Sequence, residues 1–152
     1  MPQSLAKVLV HITYSTKNRT PWLKDAKMRA ELYAYNAVIL RDEVDSPALV
    51  IGGVEDHIHI LCLLSRKFAI MDVVKASKTE TTKWIKKQGK EYADFAWQTG
   101  YGIFSVSQSN INQVKRYIAN QEKHHRRMTF QDEFRELCAR HGIEIDERYV
   151  WD

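Results

Sequence analysis

Cysteine is scarce in this chain. There are two, Cys62 and Cys138, and their spacing suits neither a disulfide framework nor a zinc site. Both read as plain thiols in a reducing cytoplasm. Three prolines and six glycines are spread through 152 residues, and no repeat, low-complexity tract or interdomain linker stands out. No apolar run approaches the roughly 18 residues that a membrane span needs. The opening stretch MPQSLAKVLVHITYST lacks the long apolar centre and cleavage site of a secretory leader and reads as a strand. The expectation is one cytoplasmic domain over residues 1–152 with no membrane contact. Charge is mixed, with 23 basic against 19 acidic residues and a net +4, which favours a polyanionic partner without requiring one.

What is present is a regular alternation of patterns. Ala6 to Thr16 is β-branched, with Val8, Val10, Ile12 and Tyr14 on one side and Leu9, His11 and Thr13 on the other. Asp25 is placed to N-cap a helix running to about Arg41, with Met28, Leu32, Tyr35 and Ile39 at helical spacing. Asp45-Ser46-Pro47 ends it. Ala48 to Val54 and His57 to Leu64 read as a hairpin joined through Gly-Gly-Val-Glu-Asp. Ile70 to Gln88 is an amphipathic helix, with Ile70, Val73, Val74, Ser77, Thr81, Trp84, Ile85 and Gln88 on one face and Lys75, Lys78, Lys86 and Lys87 on the other. Trp97 to Ser107 contains a fourth strand. Asn110 is placed to cap a third helix that runs on into Gln121 to Arg127, and Thr129 to cap a fourth that ends at Gly142. The order βαββαβ followed by helices is the α+β, ferredoxin-like split-βαβ arrangement. It implies a four-stranded antiparallel sheet with helices on one face, the first and third strands central, plus C-terminal helices.

On the third strand, His57 and His59 are two apart and share a face, while Ile58, Ile60 and Cys62 share the other. Two imidazoles on a rigid strand are half of a divalent-metal site. Candidates for a third ligand are Glu55, Asp56, His11 and groups on the third helix. There Tyr117 and Gln121 lie four apart, one turn above each other at the border of the Ile111/Val114/Ile118 stripe. A phenol is a weak nucleophile at neutral pH, less so where a metal polarises its target.

Asp56-His57-Ile58-His59 together with Tyr117-Ile118-Ala119-Asn120-Gln121 resembles the single-tyrosine HUH transposases of the smallest bacterial insertion sequences. The resemblance extends over nearly the whole chain. It implies a dimeric, metal-dependent nickase and religase of single-stranded DNA that recognises hairpins at element ends. His57, His59 and Gln121 would then hold Mg²⁺ or Mn²⁺, and Tyr117 would form a 5′-phosphotyrosine intermediate. It also implies a homodimer, in which the tyrosine helix can serve its own or the partner's histidines.

Other residues take plainer readings. Lys75, Lys78, Lys86, Lys115, Arg116, Lys123 and Arg126 are candidate phosphate contacts. Tyr14, Trp22, Trp97, Tyr101 and Phe104 are candidate stacking platforms. Asp56 suits the turn, and His124 and His125 read as a solvated, basic helix end. The rival readings are a non-catalytic ferredoxin-like nucleic-acid-binding module, a related HUH nickase, a domesticated transposase, or a metal-dependent hydrolase of small phosphate esters.

Overall fold

A computed structural model describes residues 2–152. The strands are β1 (Leu9–Ser15), β2 (Ala48–Val54), β3 (His57–Leu63) and β4 (Gly102–Val106). The helices are α1 (Ala26–Val44), α2 (Ile70–Lys86), α3 (Ile111–Ala119), α4 (Gln121–His124) and α5 (Phe130–Arg140). All strand pairs are antiparallel and the order is β2-β3-β1-β4. The expected central pair, β1 and β3, is therefore observed. Among the described residues no helix is long and apolar enough to cross a membrane.

The two faces of the sheet have different contents, as the alternation in β1 and β3 requires. Val10, Ile12 and Tyr14 from β1 and Ile58, Ile60 and Cys62 from β3 form one core with Met28, Leu32, Leu40 and Val44 of α1 and Val73, Val74 and Ile85 of α2. Full burial of each large aliphatic side chain contributes roughly 1.5–3 kcal/mol. A polar chain runs through this core. The Tyr14 hydroxyl lies 2.7 Å from Ser77 Oγ, which donates to Asn36 Oδ1 at 2.9 Å. A second, smaller cluster on the opposite face joins Phe104 of β4 to Phe130, Phe134, Leu137 and Cys138 of α5, with Ile145, Val150 and Trp151 of the tail packed against it.

The helix ends show where local signals held. Asp25 Oδ1 accepts from the Lys27 and Met28 amides, and Thr129 Oγ1 accepts from the Asp132 amide. Asn110 does not cap with its side chain. It closes a short 3₁₀ turn over Gln108–Asn110 and has φ −102° and ψ 1°, outside the extended conformation a capping residue needs. The continuous helix expected past Ala119 is also interrupted. Asn120, at φ −101° and ψ 23°, separates α3 from α4. The fourth strand begins at Gly102, and Trp97 contributes only an isolated bridge to Thr16.

One transverse row of the sheet reads Gly52, His59, Thr13, Gly102 across β2, β3, β1 and β4. Directly opposed residues share a face, so a histidine and a threonine are flanked here by two positions without side chains. A Cβ at Gly52 would stand 2.4 Å from the Ile118 carbonyl oxygen of α3, and one at Gly102 would stand 2.6 Å from the ring of Phe134 of α5. The glycines are the seats on which α3 and α5 approach the sheet. Gly52→Ala is expected to cost about 1–3 kcal/mol in chemical denaturation, because its clash is with backbone. Gly102→Ala is expected to be milder and to recover stability when combined with Phe134→Leu, since a ring can give way.

Candidate functional site

His57 and His59 project from β3 into the space between the sheet and α3 to α5, and both are fully buried. His57 Nδ1 donates to Asp56 Oδ1 at 2.6 Å. Its Nε2 faces Gln121 Oε1 at 3.1 Å and Glu133 Oε1 at 3.4 Å. His59 Nε2 lies 2.7 Å from Glu133 Oε1, and its Nδ1 lies 2.7 Å from His11 Nε2 on the neighbouring strand. The alternation that sends His57 and His59 to this face sends His11 there too.

Tyr117 reaches the same point from α3, where its hydroxyl donates to Glu133 Oε2. The break at Asn120 leaves Gln121 on the same side as Tyr117. The Gln121 amide donates to the Tyr117 carbonyl at 3.4 Å and to Glu133 Oε2 at 3.2 Å, with its oxygen turned toward His57. Tyr117, Gln121, His57 and His59 are thus gathered within a single chain.

Glu133 is the residue that sequence reasoning missed. It is 1% exposed, sits on α5, and contacts Tyr117, Gln121, His57 and His59. Its second oxygen is also 3.1 Å from His125 Nε2 and 3.3 Å from His124 Nε2. A glutamate in the first turn of a capped helix reads as a dipole partner. Its one distinguishing signal was its place on the inward stripe with Phe130, Phe134 and Leu137. The reading of His124 and His125 as a solvated helix end is likewise corrected. His125 turns inward, its Nδ1 donating to the Met128 carbonyl at 2.6 Å.

The charges here are strongly coupled. Burial alone would lower the His57 pKa, but hydrogen bonds to Asp56 and Glu133 outweigh it and raise it to about 9. Burial dominates at His59 and His11, which fall to about 4 and about 3. Burial would raise Glu133, yet the surrounding imidazoles hold it well below the usual carboxylate range. Burial, with the Glu133 charge adding to it, pushes the Tyr117 phenol above its ordinary value.

The donor set fits a divalent cation. With Nδ1 of His57 and of His125 committed as donors, each Nε2 is aimed at a Glu133 oxygen, a position that a proton fills on His57 in the metal-free protein and that a cation would take when bound. Lone pairs facing a carboxylate repel unless a proton or a metal stands between them. His125 Nε2 is buried with no hydrogen-bond partner. One ligand atom each from His57, His59, His125 and Glu133 lies within 4.8 Å of the others, and the Gln121 oxygen borders the set through His57. Imidazoles with a carboxylate and an amide oxygen suit Mg²⁺, Mn²⁺ or a harder transition ion better than a thiol-seeking one.

The candidate DNA contacts divide by face. Lys123 and Arg126 line an open groove of about 630 Å³ beside the site, with Asn120, His124 and Arg127. Lys115 and Arg116 follow on α3, half-buried and exposed respectively. Lys75 and Lys86 are exposed on α2, whose packed side joins the opposite core. Lys78 is not a free cation. Its ammonium donates to the carbonyls of Gln98, Thr99 and Gly100 at 2.8, 3.1 and 2.7 Å, and burial lowers its pKa to about 8. Of the candidate stacking residues, Tyr14 and Trp97 are consumed by the helix-side core. Trp22 packs partly against that core, Phe104 is buried on the site face, and Tyr101 keeps 37% exposure.

Residues 4–121 match the family model described as "Transposase IS200 like". The chain belongs to the IS200-like transposase family. The matched span reaches Gln121 and stops short of His125 and Glu133. No curated protein sequence matches. Among solved structures, a protein of Deinococcus radiodurans R1 assigned as a transposase aligns with a TM-score of 0.57 at 23% identity, covering 80% of this chain and 95% of that one. A REP-associated tyrosine transposase bound to a REP hairpin aligns with a TM-score of 0.59 at 12% identity, covering 82% of this chain and 73% of that one. At these identities the two structures support the ferredoxin-like fold.

Two measurements follow for this transposase. By calorimetry, His57→Ala should weaken Mn²⁺ binding by more than the roughly 10- to 100-fold expected for Asp56→Asn, which alters only the group orienting the ligand. The pH dependence of stability in the metal-free protein has a defined sign. His57 is raised from 6.5 to about 9, so its contribution is complete below 6.5 and is lost as pH rises through about 9. His59 and His11 are lowered from 6.5 to about 4 and about 3, so the unfolded chain takes up protons that the fold refuses as pH falls below 6.5. Urea unfolding should therefore give a maximum near pH 6.5, and His57→Gln should flatten the alkaline limb.

Proposed function

We propose that this transposase cuts and rejoins single-stranded DNA through a covalent 5′-phosphotyrosine on Tyr117. The observation that carries the reading is the hydroxyl of Tyr117 bound to the same carboxylate as the paired histidines of β3. A nucleophile and a phosphate-polarising centre are useful only when they reach the same atom.

His57, His59 and Gln121 would hold Mg²⁺ or Mn²⁺, joined by His125 and Glu133. When bound, the ion polarises the phosphate and offsets charge that builds on its oxygens. The protein's own groups do the rest. Asp56 fixes the His57 ring through Nδ1, and His11 does the same for His59. Burial keeps the Tyr117 phenol protonated before attack, with its proton held against Glu133 Oε2. As the Tyr117 oxygen bonds to phosphorus its proton would pass to Glu133 Oε2, the bond from phosphorus to the 3′ oxygen breaks, and the 3′ oxygen leaves as a hydroxyl by taking up one proton, so the step releases none overall. One phosphodiester bond is exchanged for another, so the reverse attack by a 3′-hydroxyl rejoins strands without a nucleotide cofactor.

Lys123, Arg126 and Arg127 border the groove beside the site and would carry the strand's phosphates, with Lys115 and Arg116 further along α3. The hairpin bound by the REP-associated structure supports a folded single strand as substrate. We take residues 1–152 as one catalytic and DNA-binding unit that works as a homodimer in the cytoplasm.

Covalent capture tests this. Labelled single strands from the flanks of the gene, incubated with Mn²⁺, should yield a protein adduct on denaturing gels. The duplex form and a chelator should suppress it, and Tyr117→Phe should reduce it by roughly 10³-fold or more. DNA binding that persists without any adduct, unaffected by chelator or Tyr117→Phe, would instead identify a non-catalytic module.

A further inference from the structure

Tyr117 has two sides. Its hydroxyl meets Glu133, and Tyr117 also lines a neighbouring open cavity of about 330 Å³, which His11 borders on the side of the histidine cluster. That volume is near the lower bound of the roughly 300–1,000 Å³ typical of small-molecule pockets.

The cavity's walls are of two kinds. Phe104, Val114 and Leu137 make it apolar, and the His141 ring lies 4.7 Å from that of Phe104. At the rim stand Asn110 and Gln113, both exposed. Among the described residues neither side-chain amide is engaged by another protein group. Gln113 lies one turn before Tyr117 on α3, so the two share a helix face. Arg140 closes the rim with its guanidinium exposed, in a loose ion pair with Glu136 at 3.8 Å.

Flat apolar and aromatic walls with uncommitted amides at the edge are the chemistry that recognises an unpaired nucleobase. The rings and aliphatic groups receive its faces, and the amides pair with its donor and acceptor edge. A cation at the rim suits the adjoining phosphate. The cavity's position is equally informative. A base held against the Tyr117 ring belongs to a nucleotide next to the phosphate that the Tyr117 oxygen attacks.

We propose that this cavity is a specificity pocket for one unpaired base flanking the cleaved phosphate, read by Asn110 and Gln113. It rests on the covalent-cleavage reading above and assigns residues that the reading does not use. Seating that base would fix which phosphate reaches Tyr117, so the pocket would choose the position of cutting while the histidine cluster supplies reactivity.

The test uses the full chain, Mn²⁺ and a single-stranded library with a randomised segment. Covalent adducts are isolated, digested to the linked oligonucleotide and sequenced. The unaltered chain is expected to show a base bias of at least fivefold at a position adjoining the phosphotyrosine. Gln113→Ala and Asn110→Ala should erase the bias there and keep any bias at more distant positions. Asn112→Ala, exposed on the same helix and outside the cavity, should retain the full pattern. Adducts whose adjoining base is equally biased in the Gln113→Ala and Asn110→Ala proteins would overturn the pocket and leave the cleavage reading intact. Adducts with no adjoining bias in the unaltered chain would do the same. No adduct from the unaltered chain would overturn both.

Discussion

A single buried carboxylate holds this molecule's working face together. Glu133 is 1% exposed and meets groups from β3, α3, α4 and the segment leading into α5. An ion removed from water is costly unless its partners compensate it, and here the partners are imidazoles, a phenol and an amide. Each element is therefore tied to the others through the charge they share. The same arrangement explains the divergent behaviour of the three inner histidines. Only His57 has carboxylates on both ring nitrogens, and it alone is raised, whereas His59 and His11 yield to burial. A divalent cation at this point would take the place that the His57 Nε2 proton now fills beside Glu133, with His125 Nε2 aimed at the same carboxylate.

The sheet sets the distances. Gly52 and Gly102 stand at the two ends of the row that contains His59 and Thr13. Their missing side chains let the Ile118 backbone and the Phe134 ring descend to positions a methyl group would occupy. One approach brings Tyr117 and Gln121 within reach of the histidines, and the other brings Glu133. Site geometry is thus specified partly by atoms that are absent.

The division of labour between the faces follows from strand alternation. One set of side chains in β1 and β3 makes the apolar core with α1 and α2, and the other set carries His11, His57 and His59. A one-residue slip of register would exchange the two sets, so the core's packing also protects the orientation of the chemistry. The second apolar cluster, built on Phe104 and Phe134, plays the corresponding part for α5 and keeps Glu133 inward.

The sequence by itself determined the strand and helix order, the central placement of β1 and β3, the shared face of His57 and His59, and the shared side of Tyr117 and Gln121. The central pair follows from the βαββαβ order as a whole, and the elements and shared faces follow from periods of two and 3.6, which are local properties of the backbone. The caps at Asp25 and Thr129 were legible for the same reason. Only the tertiary structure decided that Glu133 and His125 join the site, that Lys78 is spent on the carbonyls of residues 98–100, and that Tyr14 and Trp97 belong to the core. It also decided where the long third helix breaks. Those outcomes depend on which surfaces meet across many residues of chain. A glutamate in a helix's first turn has the same local pattern whether it faces water or four imidazoles, and only the docking of α5 on Gly102 selects between them.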